Sequence, residues 1–304
     1  MSTKVGVVGL GAMGLPMSRR LLENGYDLSV VPHRNSAPAE ELARLGATVL
    51  ERPSELAQAC EVVITSVPDV PQVQEVLFGE EGLSTGAQDG LLYIDMSTIT
   101  PTAAQEHYVR LKEQGVAALD APVSGGPARA ADGTLTIMVG GDSEAFERGL
   151  PVLRVLGKNI KHVGPSGSGQ AVKLVNQLLI STIMVANAEA LTLGAKAGVP
   201  LKTMLEVIGT SSGSNYLMQN WMTRTLFSDD LNSGFALDLL MKDLRAALSW
   251  AGELGLPTFG GAMSQQLYKL VRTQETSRLD YSVVASLYEE AAGVRLRLQA
   301  DEDR

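Results

Sequence analysis

Val5-Gly6-Val7-Val8-Gly9-Leu10-Gly11-Ala12-Met13-Gly14 is a short β-branched run that breaks into glycines and passes into the periodic stretch Met13 to Asn24. The run reads as a buried strand and the stretch as a helix, so the glycines make the turn between them. Each glycine has its own task in a dinucleotide fingerprint. Gly9 permits the tight turn, Gly11 lets backbone approach a pyrophosphate, and Gly14 lets helix and strand pack closely. Leu10, Ala12 and Met13 complete the loop, and the helix start offers unpaired N–H groups and a positive dipole end to an anion. A tight turn without a ligand is the bland alternative, and strand, helix and early position together weigh against it.

Outward from this loop the alternation continues. Leu28 to Val31, Val62 to Ser66, Leu91 to Asp95, Val116 to Asp120 and Leu135 to Val139 read as further strands. Ala39 to Leu45, Pro71 to Phe78 and Pro101 to Gln114 read as helices between them. Strand and helix in turn imply an α/β domain with a mostly parallel, doubly wound sheet, a Rossmann-type domain over residues 1–164. Thr100-Pro101 marks a helix start, since threonine caps and proline suits the first helical position. Beyond Gly164-Pro165-Ser166-Gly167-Ser168-Gly169 the strand signals stop, and residues 165–304 read as an all-helical domain. Gln170 to Ala197 is apolar on most faces, as expected of a long helix buried between neighbours and joining the two domains. Further helices are expected at Leu201 to Ile208, Leu237 to Leu254, Gly261 to Thr273 and Ser282 to Ala300.

The 304 residues suit two domains, and 45% hydrophobic content with 5% aromatic points to cores of Leu, Val, Ile, Met and Ala. With 34 acidic against 25 basic residues, a formal charge of −9 offers no broad field for nucleic acid or anionic lipid. The single cysteine, Cys60, has no partner for a disulfide, and His33, His107 and His162 lack metal-site spacing. No secretory signal opens the chain, and Ser181, Thr182, Asn187 and Glu189 interrupt its longest apolar region, so it reads as cytoplasmic with no membrane partner.

An acidic residue about 20 positions past the glycines usually selects NAD by bonding the ribose hydroxyls. Here that place reads Val31-Pro32-His33-Arg34-Asn35. An arginine fork beside an amide suits a 2′-phosphate, so NADP is favoured with NAD possible, against the bland reading of Arg34 as a solvated loop residue.

Four segments in order resemble the β-hydroxyacid dehydrogenase family, which includes 3-hydroxyisobutyrate dehydrogenase and tartronate semialdehyde reductase. They are Gly9 to Met17, Asp120-Ala121-Pro122-Val123-Ser124-Gly125-Gly126 running on to Gly133-Thr134-Leu135-Thr136, Gly167-Ser168-Gly169-Gln170-Ala171-Val172-Lys173, and Lys242-Asp243-Leu244. The resemblance implies that Ser124, Gly125 and Gly126 bind the carboxylate of a small substrate, where glycine N–H groups and a hydroxyl can line an anion site. It implies that Lys173 is the general acid and base of hydride transfer, its ammonium protonating the new alkoxide and its amine taking the proton back. Taken alone, Lys173 would pass for a snorkelling surface lysine.

The family's amide commonly sits four residues past the lysine. Here that place holds Gln177, with Asn176 before it, and either could orient the substrate. Lys242 would approach the nicotinamide end or the substrate, its alternative being an i,i+4 pair with Asp238. Val67, Pro68 and Thr98 would stand beside the cofactor, and Phe235 resembles the family's aromatic near the substrate. The expected reaction interconverts a 3-hydroxy acid and its 3-oxo partner or semialdehyde without a metal, in a homodimer or homotetramer built through the helical domain. A 6-phosphogluconate dehydrogenase-like enzyme would carry a His-Asn pair where Asn176-Gln177 stands, and an imine reductase would usually lack the lysine. A dinucleotide-binding scaffold without catalysis is the reading from another class.

Overall fold

The computed structural model describes residues 3–232 and 234–298. It divides into two compact units, Met1–Leu174 and Val175–Arg304, with the boundary inside one long helix, Ser168–Lys196.

The first unit is built on a nine-stranded sheet: β1 Lys4–Val8, β2 Asp27–Val31, β3 Thr48–Val49, β4 Val62–Thr65, β5 Leu92–Asp95, β6 Ala117–Asp120, β7 Val123–Ser124, β8 Leu135–Gly141 and β9 Gly157–Gly164. The order β3-β2-β1-β4-β5-β6 is parallel throughout, the two-way winding of a Rossmann sheet. β8 then runs antiparallel to β6 and β7, and β9 lies parallel to β8. Because helices cover both faces, the strands can be apolar at nearly every position. Val5, Val7, Leu28, Val30, Ile64, Ile94 and Leu119 face one core layer. Val8, Val31, Val63, Tyr93 and Ala118 face the other.

Several elements carried no legible signal. β3 is two exposed residues, and β9 exposes Lys158, Asn159, Lys161 and His162 as an edge strand does. Helix Ser143–Leu156 holds Pro151 inside it, which masks its periodicity. Thr100 caps the helix at Pro101 as expected, accepting from the Ala103 N–H at 3.3 Å.

In the second unit, helices Leu201–Gly209, Leu237–Glu253, Phe259–Val271 and Ala285–Ala292 pack with part of the long helix around Met184, Phe227, Leu240, Leu244, Tyr268 and Tyr281. The last helix is shorter than Ser282 to Ala300. Asp280 accepts from the Ser282 N–H to start a tight turn over Tyr281–Val284, and Gly293 at φ 66 ends the helix. Ala300 lies outside the described residues.

Ser168–Lys196 is long and apolar enough, by length and composition, to cross a membrane. It has the contacts of a core helix: Met184, Val185, Ala188 and Leu191 lie in the second unit's core, and Gln170, Lys173 and Gln177 are buried polar residues on it. Its expected burial on most faces does not hold, since Val172, Val175, Leu179 and Leu193 are exposed.

Candidate active site

Parallel register aligns the carboxyl ends of the central strands. Val8 pairs Val31 and Thr65, Thr65 pairs Asp95, and Asp95 pairs Asp120. The loops after these residues share one sheet edge, where open α/β sheets take their ligands. Gly9 sits at φ +96, and a Cβ there would overlap the Ser66 carbonyl. A Cβ at Gly14 would overlap the Gly9 carbonyl oxygen, whereas one at Gly11 would meet nothing within 4 Å. The turn is therefore sterically sealed on the protein side and open at Gly11. Helix Gly14–Glu23 starts at Met13 with no side-chain cap; the Leu15 N–H is already bonded to the Gly11 carbonyl at 3.0 Å and Pro16 has none, so what the helix offers an anion is its dipole end, with Leu10 and Ala12 in the loop before it. These features fit a dinucleotide pyrophosphate.

Past β2, His33, Arg34 and Asn35 are all exposed. The Asn35 Oδ1 accepts from the Ala37 N–H at 3.1 Å, so this amide starts the next helix and leaves Arg34 as the exposed cation of the turn. On the far side of the glycine loop, the Val67 N–H donates to Ser97 Oγ at 3.0 Å. That bond ties the Val67-Pro68 turn to the strand end that carries Thr98.

Beneath this edge lies a chain of buried polar groups. Thr65 Oγ1 contacts the Tyr93 hydroxyl at 2.6 Å and donates to Asp95 Oδ1 at 2.8 Å, which also accepts from the Ser97 N–H at 2.9 Å. Asp120, at the end of β6, accepts from the Gly167 N–H at 2.7 Å and from the Gln170 N–H at 2.9 Å. Burial pushes the Asp120 carboxyl up to about 6, helped by Asp95 and opposed by the two N–H donors. Gln170 is fully buried and bonded at both ends: Nε2 donates to the Ser97 carbonyl at 2.9 Å, and Oε1 accepts from the Ile99 N–H at 3.2 Å. Lys173, 6% exposed, follows one turn later on the same helix.

Ser124 ends β7, and Gly125 and Gly126 adopt φ 140 and φ 73 before the helix Gly126–Asp132. A side chain at Gly125 would strike Arg129, whereas Gly126 faces open space, so this backbone can be approached closely.

In the second unit, Asn176 Nδ2 donates to Gln177 Oε1 at 3.1 Å, and Gln177 Nε2 donates to Asp243 Oδ2 at 2.8 Å. The Lys242 ammonium pairs with Asp243 Oδ1 at 2.8 Å. The alternative of a Lys242–Asp238 pair is thereby corrected. Asp238 is taken by the Arg272 fork, at 2.6 and 3.0 Å, a two-bond geometry that a lysine cannot match. Phe235 is half-buried against Tyr281, and its N–H donates to Asp280 at 2.8 Å. Sequence reasoning missed Gln170, Asp120 and Asp243 as organisers, although a Gln one turn before Lys173 in an apolar helix and an Asp at a strand's end were the available signals.

Residues 4–164 match the model for the NAD-binding domain of 6-phosphogluconate dehydrogenase, and residues 167–288 match the model for the NAD-binding domain of NADP-dependent 3-hydroxyisobutyrate dehydrogenase. The chain is 40% identical to 2-(hydroxymethyl)glutarate dehydrogenase of Eubacterium barkeri, across 96% of this chain and 97% of that one. The chain belongs to the β-hydroxyacid dehydrogenase family. Other members near it are 2-hydroxy-3-oxopropionate reductase of Escherichia coli, 37% identical over 96% of this chain and 99% of its own, and a solved structure of 3-hydroxyisobutyrate dehydrogenase from Mycobacterium tuberculosis. The latter superposes with a TM-score of 0.85 at 30% identity, covering 94% of this chain and 99% of its own. Like these β-hydroxyacid dehydrogenases, the protein is an oxidoreductase that uses a nicotinamide dinucleotide on the CH–OH group of a small hydroxy acid or on its oxo partner.

Proposed function

We propose that the protein interconverts a 3-hydroxy acid and its 3-oxo acid or semialdehyde with NADP(H), Lys173 moving the proton. The observation that carries this reading is a lysine only 6% exposed, one turn past a glutamine bonded at both ends to the loops of the ligand-binding sheet edge. The nicotinamide, when bound, supplies or takes the hydride. In reduction the carbonyl carbon gains that hydride while Lys173 donates a proton to the oxygen. In oxidation the Lys173 amine removes the hydroxyl proton as hydride leaves.

Ser124, Gly125 and Gly126 hold the substrate carboxylate in this reading, supported by the open approach at Gly126. Asn176 is the amide that meets substrate. Gln177, 1% exposed, has both ends of its amide engaged with Asn176 and Asp243, which suits a strut. Lys242, steadied by Asp243, serves the nicotinamide end. Arg34, exposed beside the glycine loop, serves a 2′-phosphate. Chemistry shared by the relatives supports the substrate class: 2-(hydroxymethyl)glutarate, L-serine and 3-hydroxyisobutyrate each place CH–OH at the carbon β to a carboxylate. Copies associate through the helical unit, which exposes Leu193, Phe259, Met263 and Leu270. The enzyme is placed in the cytoplasm in this reading, where the free, buried Cys60 stays reduced.

A spectrophotometric screen of small 3-hydroxy and 3-oxo acids with each cofactor, run beside Lys173→Ala, tests the reading. Turnover on at least one acid, cut in Lys173→Ala to a small but measurable residual rate while NADPH binding persists, is expected. Unchanged turnover in the variant would refute it.

A further inference from the structure

Gln170 does something that none of the assignments above requires: it connects the turn carrying Lys173 to the loops of the nucleotide-binding edge. Its Nε2 donates to the Ser97 carbonyl at 2.9 Å, while the Ser97 hydroxyl accepts from the Val67 N–H at 3.0 Å. Its Oε1 accepts from the Ile99 N–H at 3.2 Å, so one amide grips the backbone on both sides of Thr98. From below, the Asp120 carboxylate holds the N–H groups of Gly167 and Gln170 and fixes the first turn of the helix along its axis. The carboxylate has a fitted socket. A Cβ at Gly140 would lie 2.5 Å from Asp120 Oδ1, and a Cβ at Gly169 would lie 2.8 Å from Oδ2, so only glycine at both places leaves the oxygens room.

We propose that Gln170, seated by Asp120, is a positioning residue that keeps the Lys173 ammonium in register with the loops at Val67 and Thr98. The inference rests on the reading of Lys173 as the proton-handling group. Its physical basis is geometric. Apolar packing alone lets a helix slide or rotate by small amounts, whereas four hydrogen bonds to fixed backbone and strand-end groups do not. A displacement of about 1 Å at a reacting group is enough to cost about 100-fold in rate. Gln170 is the sole side chain of that first turn with bonds to both Ser97 and Ile99 among the described residues.

The test is a double-mutant cycle in the full-length enzyme between Gln170→Met, which keeps side-chain length and removes both bonds, and Lys173→Ala. In the wild-type background Gln170→Met lowers kcat by about 10- to 100-fold with less than about a 3-fold change in NADPH Kd. In the Lys173→Ala background the same substitution changes the residual rate by less than about 3-fold, because nothing remains to be positioned. A merely structural role would lower melting temperature and cut the residual rate equally in both backgrounds, and that result overturns the proposal. So does a kcat within about 3-fold of wild type in Gln170→Met alone. Full turnover in Lys173→Ala would refute the lysine's own role first, and the positioning role with it. If Gln170→Met does not fold, Asp120→Asn replaces it in the cycle, since it removes one of the two acceptors under the same turn, with the same outcomes on either side.

Discussion

Asp120 and His107 line one cavity of about 10 Å³, together with Tyr93, Asp95, Tyr108 and Ser166, and burial moves the two in opposite directions. The Asp120 carboxyl rises from 3.8 to about 6, through burial first. The His107 imidazole falls from 6.5 to about 4, through burial and then the charge of Arg110, and its Nε2 has no hydrogen-bond partner among the described residues. Stability depends on pH wherever folded and unfolded chains bind different numbers of protons. From about pH 6 down to 3.8 the folded chain takes up the Asp120 proton first, so acidification stabilises, and ionised Asp120 withholds about 3 kcal/mol at neutral pH. From pH 6.5 down to about 4 the unfolded chain takes up the His107 proton first, so acidification destabilises, again by about 3 kcal/mol. In the native protein the two contributions cancel over nearly the same window.

Removing either one exposes the other. Relative to wild type, Asp120→Asn is expected to lose about 3 kcal/mol between pH 7 and pH 4, and His107→Gln to gain about as much. Urea unfolding followed by circular dichroism at half-unit pH steps measures both. Taking the difference from wild type removes every carboxylate the three proteins share. Profiles parallel to wild type in both variants would refute the linkage, and deviations of the same sign would refute the assignment of directions.

Three further outcomes are expected. Gly11→Ala should leave the melting temperature within a few degrees, since its Cβ meets nothing within 4 Å, yet weaken NADPH binding by about 10-fold or more; Gly14→Ala should fail to fold, because its Cβ overlaps the Gly9 carbonyl. Equal tolerance of both in calorimetry would contradict the loop geometry. Arg34→Asp should shift the NADP-to-NAD ratio of kcat/KM by at least about 10-fold towards NAD, and an unaltered ratio removes Arg34 from cofactor selection. Asn176→Ala should raise KM for the acid, whereas Gln177→Leu should leave that KM nearly unchanged; each should cost about 1 to 3 kcal/mol, the first by stripping the buried Gln177 Oε1 of its donor and the second by leaving Asp243 and Asn176 short of a partner. The reverse pattern would make Gln177 the substrate amide.

Legibility in the sequence followed burial. β1, β2, β4, β5 and β6 are apolar at nearly every position because helices cover both faces, and such runs stand out. β9 alternates exposed lysines and polar residues on a sheet edge, a pattern shared with loops. Pro151 hides the helix at Ser143, and the last helix ends earlier than its periodicity implies because Gly293 sits inside a stretch of otherwise good helix formers. The Lys242–Asp238 pairing failed for a related reason. Spacing along one helix ranks local partners and cannot see Arg272 arriving from another segment.

The glycine loop was readable because its function constrains the backbone, and backbone constraints appear in sequence as glycines. Lys173 was not readable by itself, since one lysine in an apolar helix looks the same whether it snorkels or works. On the proposed role, what marks a working lysine is the pair of glutamines on either side of it. Burying a primary amide is unfavourable unless both its ends are bonded. The helix nonetheless buries Gln170 at 0% and Gln177 at 1% exposure, one turn before and one turn after the lysine. Gln170 is satisfied by backbone at Ser97 and Ile99, and Gln177 by Asn176 and Asp243. Leucine at either place would be the simpler choice for a helix that only had to fill a core. On the proposed role of Lys173, the bonds of Gln170 to Ser97 and Ile99 hold the turn before it against sliding and rotation, which a proton donor needs if it is to meet a developing alkoxide within hydrogen-bond reach.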